Sequence, residues 1–251
     1  MKARFLLLGG VLIGFALTSL IGTCSTGSRE EESVKEEEEI MKIRWFGHSC
    51  FLLEAADGTK VITDPFDESV GYPIPEEEPD VVTVSHEHFD HNAVDVLEGS
   101  PEVVKGVGEK KIKGIAFKGI KSFHDKTKGA QRGPNTIFVF AIDGIRFCHL
   151  GDLGHLLTSD QQKEIGEVDV LLIPVGGTYT IDGREAIEVS KQLNAKLIIP
   201  MHYRTEVCNI GIDSCEKFLK GFTNIEKAEE WQGNKESLPS EQTVLVLEYA
   251  K

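Results

Sequence analysis

The chain has 251 residues, with 27 Lys and Arg against 41 Asp and Glu, for a formal net charge of −14. That balance argues against a nucleic-acid binder, which usually presents a basic face, and makes a large anionic polymer a poor substrate. Its apolar fraction (40%) and charged fraction (27%) are those of an ordinary globular protein, and the length allows one large domain or two small ones.

Residues 1–28 stand apart. A basic head, Met1-Lys2-Ala3-Arg4, precedes an apolar, glycine-containing run from Phe5 to Gly22. Such a segment reads as a secretory signal or a single membrane anchor rather than as core. It approaches the roughly 20 residues that span a bilayer. Cys24, after Ile21-Gly22-Thr23, resembles the lipidated cysteine of a lipoprotein signal, although Thr23 departs from the usual small residue there. An uncleaved anchor is the alternative. In both cases the body is expected to face outward and to touch the membrane through this segment only, with a secreted or cytoplasmic body as the minority reading. Residues 29–40 carry seven glutamates and almost no apolar side chains, so a solvated acidic linker is expected. The folded domain is expected over residues 41–251.

Short β-type runs follow at Ile43–Trp45, Phe51–Glu54 and Lys60–Asp64, with Asp57-Gly58 as a hairpin turn. Tyr72–Asp80 is an acidic, proline-rich loop. Val81–Ser85 is apolar almost throughout, as a strand buried on both faces would be. Further runs lie at Val103–Lys105, Ile115–Phe117, Thr136–Ile142, Ile145–His149, Val168–Pro174, Lys196–Met201 and Val244–Glu248, with Asp143-Gly144 as a second hairpin signal. Helical patterns occupy Ser159–Ile165, Glu185–Leu193 and Ser214–Gly221. Many strands with interspersed helices predict two packed sheets with helices on their outer faces.

The chemistry concentrates in Ser85–Asn92, Ser-His-Glu-His-Phe-Asp-His-Asn. A strand sends alternate side chains to one side, so His86 and His88 leave its end together. Asp90 and His91 can face the same space after the turn. Imidazole and carboxylate are ligands of borderline divalent metals, so H-x-H-x-D-H is a metal-binding arrangement with room for one ion or a pair. Three further residues sit at strand ends: His124 after Ile115–Lys121, Asp152 after the Ile145 strand, and His202 after Leu197–Ile199. Each alone is more often a turn or core residue; their recurrence at strand ends points to one shared edge.

In chain order, Ser-His-Glu-His-Phe-Asp-His, Phe-His-Asp, Leu-Gly-Asp-Leu-Gly-His, Pro-Val-Gly-Gly-Thr-Tyr-Thr and Ile-Pro-Met-His-Tyr resemble the metallo-β-lactamase superfamily, and more narrowly its ascorbate-6-phosphate lactonase-like hydrolases. The resemblance implies a four-layer αββα sandwich with one or two metal ions at its edge. Carried over, it assigns His86, His88 and His124 to a first metal, Asp90, His91 and His202 to a second, and Asp152 to both. Zinc is the implied ion, with manganese or iron as alternatives. His48 and His155 are candidates to approach the cleft, whereas His149 is expected to pack beneath it. Asp64 or Asp125 would orient a ligating histidine. Arg132 would meet an anionic group of the substrate, and Tyr203 would offer a hydroxyl.

The implied chemistry is hydrolysis: a metal lowers the pKa of a water to about 7, and Asp90 orients it and moves its proton. The implied substrate is a small molecule bearing an ester, lactone or phosphodiester. Redox di-iron relatives typically carry glutamate where His88 stands, and nuclease relatives need a basic RNA-holding region that this chain lacks. An iron sulfur-dioxygenase, a nuclease-type member of the superfamily and a non-catalytic metal-dependent binding module remain alternatives. Cys208 and Cys215 are expected as a disulfide or as free thiols, and homo-oligomerisation is left open.

Overall fold

The computed structural model describes residues 40–251. The expectations for the apolar run, Cys24 and nearly all of the acidic linker therefore lie outside the described residues. Among the described residues, no helix is long and apolar enough to cross a membrane.

Two mixed sheets face each other. The first has six strands: β1 (Met41–Gly47), β2 (Cys50–Glu54), β3 (Lys60–Thr63), β4 (Val81–Val84), β5 (Glu102–Lys105) and β13 (Glu230–Gly233), in the order β13-β1-β2-β3-β4-β5. The second has eight: β6 (Gly108–Ile112), β7 (Ile115–Phe123), β8 (Pro134–Ile142), β9 (Ile145–His149), β10 (Val170–Pro174), β11 (Leu197–Met201), β12 (Ile225–Ala228) and β14 (Thr243–Leu247). Their order is β12-β14-β11-β10-β9-β8-β7-β6. This is the expected sandwich class. Both hairpin signals hold. β2 and β3 pair antiparallel around Gly58, and β8 and β9 around Asp143-Gly144, whose φ values of 48° and 74° need the left-handed turn that Asp-Gly favours.

Period-two alternation sorts the first sheet between two cores. Ile43, Phe51, Leu53, Val61 and Val81 face the second sheet and join its Ile137, Phe147, Leu171 and Ile199 in the main core. The intervening Leu52, Ile62, Val82 and Val84 face outward and pack under Phe66, Val70, Tyr72 and Leu97. That outer cover consists of loops and two single-turn 3-10 helices, Glu68–Val70 and Val94–Val96, so the helical layer expected there is thin. Over the second sheet, α1 (Ser159–Ile165) packs on β7, α2 (Gly183–Leu193) on β10, and α3 (Glu216–Leu219) on α2. Capping boxes at Thr158 and Asp182 start α1 and α2 by satisfying free amide groups of the first turn.

Three strands go beyond the sequence reading. β6 and β12 are exposed along most of their length, and β13 is a four-residue Glu-Trp-Gln-Gly segment with one apolar side chain, so none shows an apolar period. β6, β12 and β13 lie at sheet edges, where such sequences guard against unwanted pairing. The Tyr72–Asp80 loop is also less free than its composition suggests, because Glu77 pairs with both Arg44 and Lys60. The four described cysteines are free thiols, so the disulfide alternative for Cys208 and Cys215 is not realised.

Candidate metal centre

Five strands end at one rim and deliver the titratable residues there. His48 follows β1, His86 follows β4, His124 follows β7, Asp152 lies just beyond β9, and His202 follows β11. Backbone bonds stitch the two sheets together at this place: His202 N–H donates to His48 O (2.9 Å) and Thr136 N–H to Ser85 O (2.9 Å). His149 beneath them donates Nε2–H to Ser49 O at 3.0 Å and accepts Gly151 N–H, which is the expected packing role. The close fit requires Gly151: a Cβ there would lie 2.5 Å from Asn135 Oδ1 and 2.6 Å from Ser85 Cβ. His48 and His202 hold φ near 50°, a left-handed conformation that non-glycine residues keep only where the surroundings enforce it.

The donors fall into two groups. His86, His88 and His124 form one, and His48, Asp90, His91 and His202 the other, each with ligand atoms within 4.8 Å of one another; Asp64 makes a further such set with His86 and His91, one from each group. The structure thus brings together all seven residues assigned to the metals and adds His48. Asp152 lies between the groups. Its Oδ2 is 3.0 Å from His124 Nε2 and 3.2 Å from His202 Nε2, and its Oδ1 is 3.2 Å from His91 Nε2. Yet His91 Nε2, both His202 nitrogens and Asp152 Oδ1 are buried without any hydrogen-bond partner. Buried polar atoms are almost always paired. Atoms that stand 3.2 Å apart without bonding one another aim at a common point between them, as donors to a cation do. His86 Nε2 is likewise buried and unpartnered. An all-nitrogen and oxygen donor set of this kind fits a borderline divalent ion.

Four of the donors, His86, His91, His124 and Asp152, are held from behind. Asp64 accepts from His91 Nδ1 at 2.8 Å and from the Ser85 N–H and hydroxyl, and that same hydroxyl lies 2.9 Å from His86 Nδ1. One buried carboxylate therefore orients a histidine of each group, directly or through Ser85. His124 Nδ1 donates to Tyr179 O at 2.9 Å. Asn135 Oδ1 accepts from Asp152 N–H at 2.9 Å while its amide donates to Leu150 O, fixing the strap that carries Asp152. Ser85 and Asn135 escaped the sequence reading; the serine adjoining His86 was a usable signal, and Asn135 offered none.

The electrostatics suit ligation. Burial, then the charge on His91, pushes His86 down to about 3; burial, then His202, pushes His48 down to about 4. Both are neutral at pH 7. Burial also works against charge on His91 and His124, but Asp152 outweighs it in both, with Asp64 adding to the effect on His91, and raises them. Burial would lift the Asp90 and Asp152 carboxyls; the neighbouring histidines more than reverse this and hold both below the usual carboxylate range.

A cavity of about 680 Å³ opens over the rim, with His88, Asp90, His124 and Asp152 in its floor and Phe89, Arg132 and Tyr179 in its walls. The Arg132 guanidinium lies 5.4 Å from the Tyr179 ring and makes no ion pair among the described residues. Two expectations are corrected, and of the two carboxylates offered to orient a histidine only Asp64 serves. Tyr203 follows His202 but points into the protein and stacks on Trp45 at 5.1 Å, because consecutive residues leave a strand on opposite faces. His155 lies outside the cluster with both nitrogens engaged, accepting Phe123 N–H and donating to Leu156 O. Asp125 orients no histidine; it accepts the backbone N–H groups of Thr127, Gly129, Gln131 and Arg132 and so builds the loop that presents Arg132.

A family model, the Beta-lactamase superfamily domain, matches residues 42–202. A solved Thermotoga maritima protein, assigned as a Zn-dependent hydrolase of the metallo-β-lactamase superfamily, is 46% identical with a TM-score of 0.70, covering 82% of this chain and 98% of its own. UPF0173 metal-dependent hydrolases of Methanoculleus marisnigri and Methanoregula boonei are 32% and 33% identical; each match covers 66% of this chain, and 82% and 83% of the respective relative.

Proposed function

The chain belongs to the β-lactamase superfamily and is a metal-dependent hydrolase, and on that premise we propose that it cleaves an ester, lactone or phosphodiester bond in a small molecule. The observation that carries this reading is the set of buried, unpartnered donor atoms of His86, His91, Asp152 and His202 converging beneath an open cleft. In this reading His86, His88 and His124 would hold one ion and Asp90, His91 and His202 a second, with Asp152 available to both. Zinc suits the donor set, with manganese and iron accommodated by the same nitrogen and oxygen ligands. A divalent ion there acidifies a water and polarises the bond to be cleaved.

The protein groups supply the rest. Asp90 is partly exposed to the cleft and stays ionised, so it can orient the attacking water and accept its proton. Arg132, fixed by the Asp125 loop and without a carboxylate partner among the described residues, would take an anionic group of the substrate, while exposed Phe89 and Tyr179 offer apolar walls. A cavity of about 680 Å³ has room for a small molecule. The apolar run Phe5–Gly22 supports placing this body at the outer face of a membrane; fractionation of cells expressing the chain with and without residues 1–28 tests that placement.

The test of the central reading is metal analysis of the purified protein joined to a screen of lactones, esters and phosphodiesters. Bound metal and a turnover abolished in Asp90→Ala are expected. No metal, with no rescue by added zinc or manganese, overturns it.

A further inference from the structure

We infer that His48 is the positioning residue of Asp90: its Nε2–H holds the carboxylate that binds metal and handles the proton, and His48 is not itself a metal ligand.

The argument starts from the backbone. His48 sits immediately beyond β1 at φ 51°, and its carbonyl is fixed twice, by Trp45 Nε1–H at 3.1 Å and by His202 N–H at 2.9 Å. A conformation this restrictive places the imidazole in one spot, fully buried, with ring centres 4.9 Å from His91 and 4.1 Å from His202. From there Nε2 lies 3.1 Å from Asp90 Oδ2 with hydrogen-bond geometry. Among the described residues Asp90 receives no other hydrogen bond; the nearest further contact, His91 Nε2 to the same Oδ2, is at 3.7 Å, so the His48 bond is the one that directs the carboxylate.

Proximity to the second donor group makes His48 look like a fourth ligand. The contacts say otherwise. His91 and His202 bring their Nε2 atoms to 3.2 Å from Asp152, yet neither contact has the geometry of a hydrogen bond. His48 instead meets its carboxylate as a donor meets an acceptor. A lone pair on Nε2 would face the negative oxygen, so the proton belongs on that nitrogen and the ring has no electron pair to give in that direction. Nδ1 is the atom left over, buried and without a partner. A ligating carboxylate that is itself hydrogen-bonded is the usual outer-sphere arrangement, and losing the partner weakens metal binding about 10- to 100-fold.

This inference rests on the reading of Asp90 as a metal-binding residue, and the experiment separates the two. Zinc affinity would be measured on the metal-stripped full chain by competition with a chromophoric chelator, for wild type, His48→Ala, His48→Gln, Asp90→Ala and the His48→Ala/Asp90→Ala double variant. Cobalt-loaded samples would be compared by X-ray absorption for nitrogen donors. Expected are a 10- to 100-fold weaker ion in His48→Ala, recovery in His48→Gln, whose amide N–H reaches the same place, and no further loss when His48→Ala is added to Asp90→Ala. An unchanged nitrogen count on cobalt accompanies these. Unaltered zinc affinity in His48→Ala beside a weakened Asp90→Ala overturns the inference alone. A lost nitrogen donor in both His48 variants overturns it in favour of ligation, and failure of the glutamine to recover binding in a protein that still unfolds at the wild-type temperature overturns it too. Wild-type affinity in Asp90→Ala overturns the metal reading of Asp90 and this inference together.

Discussion

The two donor groups use the same side-chain chemistry in different surroundings. His86, His88 and His124 form the upper group, and His88 is exposed in the cleft floor with no hydrogen-bond partner among the described residues. His48, Asp90, His91 and His202 lie deeper; the three histidines there are fully buried. Asp64 braces His91, His48 braces Asp90 and burial confines His202, whereas in the upper group His86 and His124 are braced but the exposed His88 side chain has no partner among the described residues. A donor whose rotamer is fixed before the ion arrives loses little entropy on binding, while a free one must be ordered at that moment. The deep group should therefore hold its ion and the upper group exchange.

Asp152 is the one residue that both groups share, so Asp152→Ala should erase the difference between them. Removing it strips an oxygen from each group and leaves His91 and His124 without the charge that faces them. Metal content should fall in both groups, and turnover at least about 10³-fold, since the ions supply several kcal/mol of barrier lowering. Retention of one tightly held ion would show that the groups are independent. Asp64→Ala should come next, acting first on the fold. The buried His91–Asp64 pair loses one member and Ser85 loses its acceptor, which costs about 3–5 kcal/mol of stability by the precedent of broken buried pairs. Urea unfolding of the metal-free protein measures this; a loss below about 1 kcal/mol would mean the network is slack.

His88→Ala sharpens the contrast from the other side. It should weaken only the exchanging ion, so that dialysis against a mild chelator removes one class of zinc and leaves the other, read by atomic emission. Equal loss of both would erase the proposed asymmetry. Arg132→Ala lies outside both groups and should leave metal content untouched. On an anionic substrate it should raise KM about tenfold with little change in kcat, as expected when a hydrogen bond to a charged group worth about 1.5 kcal/mol is removed from binding. An unchanged KM would take Arg132 out of substrate recognition.

How much of this arrangement was legible depended on what each residue's role required. Ser85–Asn92 announces itself because its ligands are contiguous and follow an apolar strand whose alternation fixes their direction. His124, Asp152 and His202 were found by their position at strand ends, which is a rule about topology rather than orientation. That same rule misplaced Tyr203, one residue past His202 and facing the opposite way, and His155, captured by the Phe123 backbone 32 positions earlier in the chain. His48 and Asn135 act through partners 42 and 17 residues away, and no local pattern encodes such pairs. The exposed edge strands β6 and β12 were missed for a related reason: a strand that buries little shows no hydrophobic period.

The finest distinction between the groups is protonic. In the metal-free protein His86 and His48 lie near 3 and 4, chiefly through burial, so neither holds a proton that an ion must displace at neutral pH. His124 in the upper group and His91 in the deep one run the other way, because Asp152 outweighs their burial. A raised pKa means the proton persists above about 6.5, where a free imidazole would have shed it. A cation binding to that nitrogen must expel the proton, so affinity rises with pH until the medium has removed it first. Each group contains one such histidine, and the shift is larger for His91, which faces Asp64 as well as Asp152. Zinc binding should thus release protons from both groups at about pH 7, with the deep group's affinity still climbing after the upper group's has levelled. Calorimetric titrations of the metal-free protein in buffers of differing ionisation heat measure the release directly. An affinity that stays flat from about pH 6 to about pH 8 would mean that the histidines are neutral before metal arrives, and the electrostatic contrast between the groups would fall with it.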